Sequence, residues 1–208
     1  MGTVDEVPRQ RRLQLSDVLY HAGSRGVEKR PIFDCVPRDR ETFLSLLDTT
    51  VRRFEWRCHA YCLMGNHFHL LIDTPKANIS AGMQFLKGEY AAWFNAVSGR
   101  EGAFFERRFW SRIAVRESYM FELSRYIALN PVRAGFTRSP ADWPWSSYAA
   151  TVGLEGVPGF LTTNGILDLF GRGSEACVRY AQFVGEGVGD TSLSDEPFLV
   201  ATGSDSVG

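Results

Sequence analysis

The chain is 208 residues long, 44% hydrophobic and 13% aromatic, enough to bury a sizeable core as one main domain with an appendage and too apolar to be disordered along most of its length. Its net charge of -1 divides after Gly153: residues 1–153 carry 21 Lys and Arg against 16 Asp and Glu, a net +5, and the remainder carries 2 against 8, a net -6. No stretch is long and apolar enough to span a bilayer and no apolar leader opens the sequence, so the expectation is a cytoplasmic protein with no membrane partner.

The front part is basic through arginine, with Lys29, Lys76 and Lys87 as its lysines. The planar guanidinium fork suits phosphate oxygens, so a polyanionic partner fits this balance, as does an ordinary solvated arginine surface. Cys35, Cys58, Cys62 and Cys177 form no Cys-x-x-Cys pair and no dense framework, which points to reduced thiols.

In chain order, Val18 to Gly26 reads as a first strand running into a basic turn made by Arg25, Lys29 and Arg30. His21 on that strand reads as a satisfied strand residue rather than a ligand. Phe43, Leu46, Leu47, Thr50, Val51 and Phe54 recur at the spacing of an amphipathic helix, with Asp39 as its cap. Trp56 to Leu63 is a second strand, Gly65-Asn66 a tight turn, and His67 to Asp73 the returning strand of a hairpin.

Alternate side chains of a strand share a face, so His67 and His69 point one way and Phe68, Leu70 and Ile72 the other. Two neutral core imidazoles each need a separate partner, whereas a shared divalent cation would serve both. The residues alone leave both readings open.

A second helix starts near Asn78, with Met83, Leu86, Tyr90, Trp93, Phe94 and Val97 on its apolar face, and Ser98 to Gly102 breaks it. The stretch from Phe104 through Arg107, Arg108, Phe109, Trp110 and Arg112 to Arg116 then interleaves aromatics with arginines. Such a ribbon could stack bases and hold phosphates, and a half-buried edge strand looks the same. A third helix is predicted over Glu117 to Leu129, ending before Asn130-Pro131 because proline disfavours helical geometry at the preceding residue. Tyr126 and Asn130, four apart, share one helical face.

The order β-α-β-β-α-β predicts an α+β, ferredoxin-like fold, an antiparallel sheet with helices packed on one face. Trp143-Pro144-Trp145-Ser146-Ser147-Tyr148 reads as aromatic packing that fastens the chain's return, with base stacking as the alternative. The expected division is a domain over 1–153 and, over 154–208, a short helical extension with an acidic flexible tail.

The Tyr61-Cys62-Leu63-Met64-Gly65-Asn66-His67-Phe68-His69-Leu70-Leu71-Ile72 block carries a family likeness. With Ser24-Arg25-Gly26, Arg125 to Gly135 and Asp142 to Tyr148, in that order, it resembles the single-tyrosine HUH transposases, and among them the REP-associated tyrosine transposases. The similarity covers roughly Leu15 to Gly153. Gly65 departs from it, since relatives usually carry proline there, although the Asn66-His67 step is intact; some longer relatives also continue well past this chain's end.

The resemblance implies that His67 and His69 bind a divalent ion, Mg²⁺ or Mn²⁺, that Asn130 is a third, helix-borne ligand, and that Tyr126 is the nucleophile. It implies an enzyme that cleaves and rejoins single-stranded or hairpin DNA through a 5′-phosphotyrosine, acting as a monomer or a homodimer. Arg25, Lys29, Arg30, Arg107, Arg108, Arg112 and Arg133 are the candidate DNA contacts. A phenol with a pKa near ~10 is a weak nucleophile, so the phosphate has to be made more electrophilic. Two other readings explain less, since neither accounts for Tyr126 and Asn130: a structural zinc site from Cys58, Cys62, His67 and His69, whose cysteines, four apart on a strand, lie about 13 Å apart along it and too far to converge on one ion, and a non-catalytic RRM-like nucleic-acid binder.

Overall fold

The computed structural model describes residues 14–106, 108–114, 118–190 and 199–201. Its sheet begins with β1 (Val18–Arg25), β2 (Arg57–Leu63), β3 (His67–Thr74) and β4 (Trp110–Ala114). These run antiparallel in the order β2-β3-β1-β4, the predicted ferredoxin-like arrangement, and a short β5 (Leu199–Ala201) pairs with β4 at the edge. That last strand gives part of the expected flexible tail a place in the sheet.

Helices α1 (Asp39–Phe54) and α2 (Ile79–Ser98) pack together on one face, as the pattern predicts. Phe43, Leu47 and Val51 of α1 and Met83, Leu86, Tyr90 and Phe94 of α2 bury against Tyr20, Ala22, Phe68, Leu70 and Ile72. Asp39 does not cap its own helix. Its carboxylate accepts from the backbone N–H groups of Cys35 and Val36, tying down the turn before α1.

The opposite face is also covered, here by α3 (Ser118–Arg133), whose Leu123 and Ile127 meet Ala60, Cys62 and Leu71. A register shift between Cys58 and Ala60 turns β2 over, so Cys58 lies in the first core and Cys62 in the second. The two thiols are therefore on opposite sides of the sheet, which removes the zinc reading. With both faces covered, the open sheet face on which an RRM-like module stacks bases is not available either.

The predicted end of α3 at Leu129 is corrected: the helix runs through Asn130 and Pro131 to Arg133. The proline falls in the last turn and, having no N–H, forgoes the bond to the carbonyl four residues earlier. The turn is closed by other bonds, from Ala134 N to Asn130 O at 2.9 Å and Phe136 N to Pro131 O at 2.9 Å.

The return after α3 is clipped along β2. Leu63 N donates to Trp145 O at 2.8 Å, Ser147 N to Tyr61 O at 3.0 Å, and the Trp143 indole to Leu63 O at 3.1 Å. Arg40, buried, faces the Phe33, Trp143 and Trp145 rings from 5.2–5.5 Å. The Trp-Pro-Trp motif thus serves packing. Beyond it come α4 (Tyr148–Thr151), α5 (Asn164–Leu167) and α6 (Gly173–Glu186), of which α5 and α6 place Ile166, Tyr180 and Val184 in the core beneath α3. Among the described residues no helix is long and apolar enough to cross a membrane.

Candidate active site

The β1–β3 register sets Gly23 opposite His69 and Arg25 opposite His67, and directly paired residues point their side chains to the same face. That face is the one α3 covers, so the two histidines look toward Tyr126 rather than toward α1 and α2. The β1–β4 register adds Trp110 opposite Gly23 and Arg112 opposite His21. Gly23 has no side chain, which lets the Trp110 indole lie across the strand and reach His69 beyond it.

The resulting cluster is tight. The His67 and His69 rings are 5.0 Å apart at their centroids. Tyr126 meets His69 edge-on at 5.8 Å and His21 at 5.7 Å, and Trp110 meets His21 at 4.7 Å and His69 at 5.3 Å. Tyr119, earlier on α3, is partly buried and packs against the core beneath the helix.

His67 hydrogen-bonds through Nδ1 to Asn66 Oδ1 at 2.7 Å, while Asn66 Nδ2 donates to Lys29 O at 3.0 Å. With the Asn66 amide oriented by that second bond, His67 must be the donor, which leaves the lone pair on its Nε2. His69 is 5% exposed, and its Nε2 has no hydrogen-bond partner among the described residues. Burial, helped by the Arg25 charge, pulls the His67 pKa down to about 4. Burial also lowers that of His69, with the neighbouring His21, His67 and Arg25 acting in the same direction. Both imidazoles are therefore neutral at ordinary pH, the form that ligates a cation.

Asn130 stands one turn after Tyr126 and donates from Nδ2 to the Tyr126 carbonyl at 2.9 Å, so Oδ1 is the atom left to ligate. Its backbone carbonyl is taken by Ala134. Among the described residues no three His, Cys, Asp or Glu side chains converge as a closed metal cage. Two neutral imidazoles, one with an orphaned buried nitrogen, and an amide oxygen fit an open site for a hard divalent ion.

The candidate DNA contacts fall into three groups. Arg25, Arg112 and Arg133 are brought to the site: Arg25 is close enough to depress both histidines, Arg112 shares their face, and Arg133 places its guanidinium 5.1 Å from the Tyr126 ring centre. Lys29 lines a cavity of about 530 Å³ beside His67, with Phe33, Asn66 and Phe136 among its walls. Arg30 points elsewhere and pairs with Glu28 at 2.5 Å, and Arg108 is exposed before β4. Arg107 and Arg116 lie outside the described residues. Phe104 and Phe105 of the ribbon are buried against α2, so that part is core.

Sequence reasoning undervalued His21, 0% exposed, whose Nε2 lies 3.0 Å from His69 Nδ1. It also missed Trp110 and Asn66 as parts of the site. The signal available for His21 was parity, since it shares a strand face with Gly23 and Arg25.

A sheet and site of this kind define a class, and comparison supplies it: the family described as "Transposase IS200 like" matches residues 14–130, more than half of the chain. The chain belongs to that family and is an enzyme acting on DNA. Within it, the chain is similar to a Haemophilus influenzae protein described as a REP-associated tyrosine transposase, 27% identical over 127 residues, covering 56% of this chain and 72% of that one. Its fold is similar to that of a REP-associated tyrosine transposase solved bound to a REP hairpin, with a TM-score of 0.60 and 16% identity, covering 76% of this chain and 90% of the other.

Proposed function

We propose that this chain is a REP-associated type of DNA strand transferase, which cleaves and rejoins single-stranded DNA beside hairpin repeats through a phosphotyrosine at Tyr126. The observation that carries the reading is the packing of the Tyr126 ring against His69, at 5.8 Å, although 57 positions separate them in sequence. The hairpin substrate is argued from the similar transposase whose structure holds a REP hairpin.

His67 Nε2, His69 Nε2 and Asn130 Oδ1 would hold the divalent ion, Mg²⁺ or Mn²⁺. When bound, that ion supplies Lewis-acid polarisation of the phosphate oxygens. The residues of the chain do the rest. Tyr126 Oη attacks phosphorus and forms a new P–O bond, the bond to the 3′ oxygen breaks, the phenolic proton is lost to solvent and the departing oxygen takes one up. The products are a 5′-phosphotyrosine and a 3′-hydroxyl. Because the phosphodiester is exchanged rather than hydrolysed, attack by a 3′-hydroxyl restores the strand with no external energy source. Arg133 beside the phenol ring and Arg25 beside the histidines place positive charge where a phosphate must approach.

The test is a denaturing gel with a labelled single strand bearing a hairpin, in Mg²⁺ or Mn²⁺. The parent and Tyr119→Phe should give a protein-DNA adduct, and Tyr126→Phe and EDTA-treated parent none. A Tyr126→Phe protein that still becomes attached to the 5′ end of the cut would overturn the assignment.

A further inference from the structure

We infer that His21 is a positioning residue for the cation site, accepting a hydrogen bond at Nε2 from the Nδ1–H of His69 and thereby fixing His69 as the tautomer whose Nε2 lone pair is available to the ion. The inference rests on the cation reading proposed above and adds to it a residue that contacts neither substrate nor metal.

The geometry allows two arrangements of the His21–His69 contact, and they differ in consequence. Nitrogen faces nitrogen at 3.0 Å, so one ring donates and the other accepts. If His21 donated, the proton of a neutral His69 would sit on Nε2 and leave no lone pair there to face a cation. If His69 donates, its Nε2 carries a lone pair instead, the group a cation takes up. His67 follows the same scheme, since it donates from Nδ1 to Asn66 Oδ1 and presents Nε2. The two candidate ligands are then matched, each held at Nδ1 by an acceptor oriented through its own neighbours.

His21 has little freedom to do otherwise. Its ring lies 23° from the plane of His69 at a centroid distance of 5.2 Å, with the Trp110 edge at 4.7 Å and Tyr126 at 5.7 Å. The same imidazole therefore touches the candidate ligand and the candidate nucleophile, and sets the spacing between them.

The test uses the full-length chain and two variants, His21→Gln, which keeps an acceptor at comparable reach, and His21→Leu, which removes it at similar volume. Long-range ¹H–¹⁵N correlation on histidine-labelled, metal-free protein reads which nitrogen of His69 carries the proton. Mn²⁺ titration followed by electron paramagnetic resonance reads affinity. The parent and His21→Gln should show His69 protonated at Nδ1, and His21→Leu should bind Mn²⁺ about 10–100-fold more weakly, with His21→Gln within a few-fold of the parent. A folded His21→Leu protein that binds Mn²⁺ as tightly as the parent overturns the inference. So does a parent whose His69 is protonated at Nε2, a result that needs no variant to fold. A parent with the Nδ1–H tautomer that binds no Mn²⁺ overturns the cation reading itself and leaves the hydrogen bond standing, so the two failures are distinguishable.

Discussion

Gly23→Ala is the sharpest test of how the site is assembled, because the glycine is the gap through which Trp110 reaches His69. A Cβ at Gly23 would lie 2.2 Å from the Phe68 carbonyl oxygen and 2.3 Å from Trp110 Cζ2, both far inside contact distance. The carbonyl belongs to the strand paired with β1, and the indole is held against His21 at 4.7 Å and His69 at 5.3 Å. Something must shift, and neither neighbour is the loose end of a flexible side chain. Overpacking of this kind costs about 1–3 kcal/mol. In a protein of this size each kcal/mol moves Tm by about 2–4 °C, so the expected drop is roughly 2–12 °C. Displacing the indole also loosens His21 and His69, so Mn²⁺ affinity should fall with it. Gly65→Ala is the control, since a Cβ there meets nothing within 4 Å, and its Tm should move little. A Gly23→Ala protein that melts within a degree of the parent and binds Mn²⁺ equally well would refute the reasoning.

Other consequences can be checked separately. DNA binding should weaken steeply with salt, and Arg112→Gln or Arg133→Gln should each reduce the slope of log affinity against log salt by about 0.7 if a phosphate contact to a single strand is lost; an unchanged slope for both would count against these contacts. Because His67 titrates near 4 in the folded chain and near 6.5 unfolded, the unfolded state binds more protons between those values. Stability is thus full above about pH 6.5 and falls as pH drops toward 4, by up to ~1.4 kcal/mol per pH unit from this one group. Urea melts of His67→Gln across that window should show a shallower fall than the parent, and an identical slope would contradict the cause given for the shift. Truncation after Gly153 removes Ile166, Tyr180 and Val184, each at most 2% exposed beneath α3. At about 1.5–3 kcal/mol per buried side chain the loss rivals the stability of a whole domain, so the fragment should not unfold cooperatively; a sharp thermal transition at the parent's Tm would show that α3 needs no such brace.

The order of strands and helices was legible because each element has a clean period. The alternation from His67 to Ile72 and the three-and-four spacing from Phe43 to Phe54 each admit one reading, and both helices fell on the face expected. The end of α3 was not legible. A proline rule that acts on the backbone alone stops the helix at Leu129, whereas the structure closes the last turn with bonds from Ala134 and Phe136 that come from beyond the motif. The second covered face was equally hidden, since what covers it is assembled from α3 and from α5 and α6, which lie more than 30 residues further on.

For the site, the difference between what was seen and what was missed is one of range. His67 and His69 are neighbours on a single strand, and Tyr126 and Asn130 on a single helix, so local periodicity pairs each couple without any knowledge of the fold. His21 becomes a partner of His69 only through the β1–β3 register, and a slip of one residue would turn His21 to the α1 and α2 side, where Tyr20 and Ala22 now point. That register is itself enforced by burial. Tyr20 and Ala22 of β1 and Phe68, Leu70 and Ile72 of β3 all fill the first core, and a one-residue slip of either strand would drive its apolar set into the second face and its histidine into the first. The apolar alternation that makes the strands recognisable is thus the same constraint that delivers His21 to His69, and it acts through the face of the sheet that carries no chemistry.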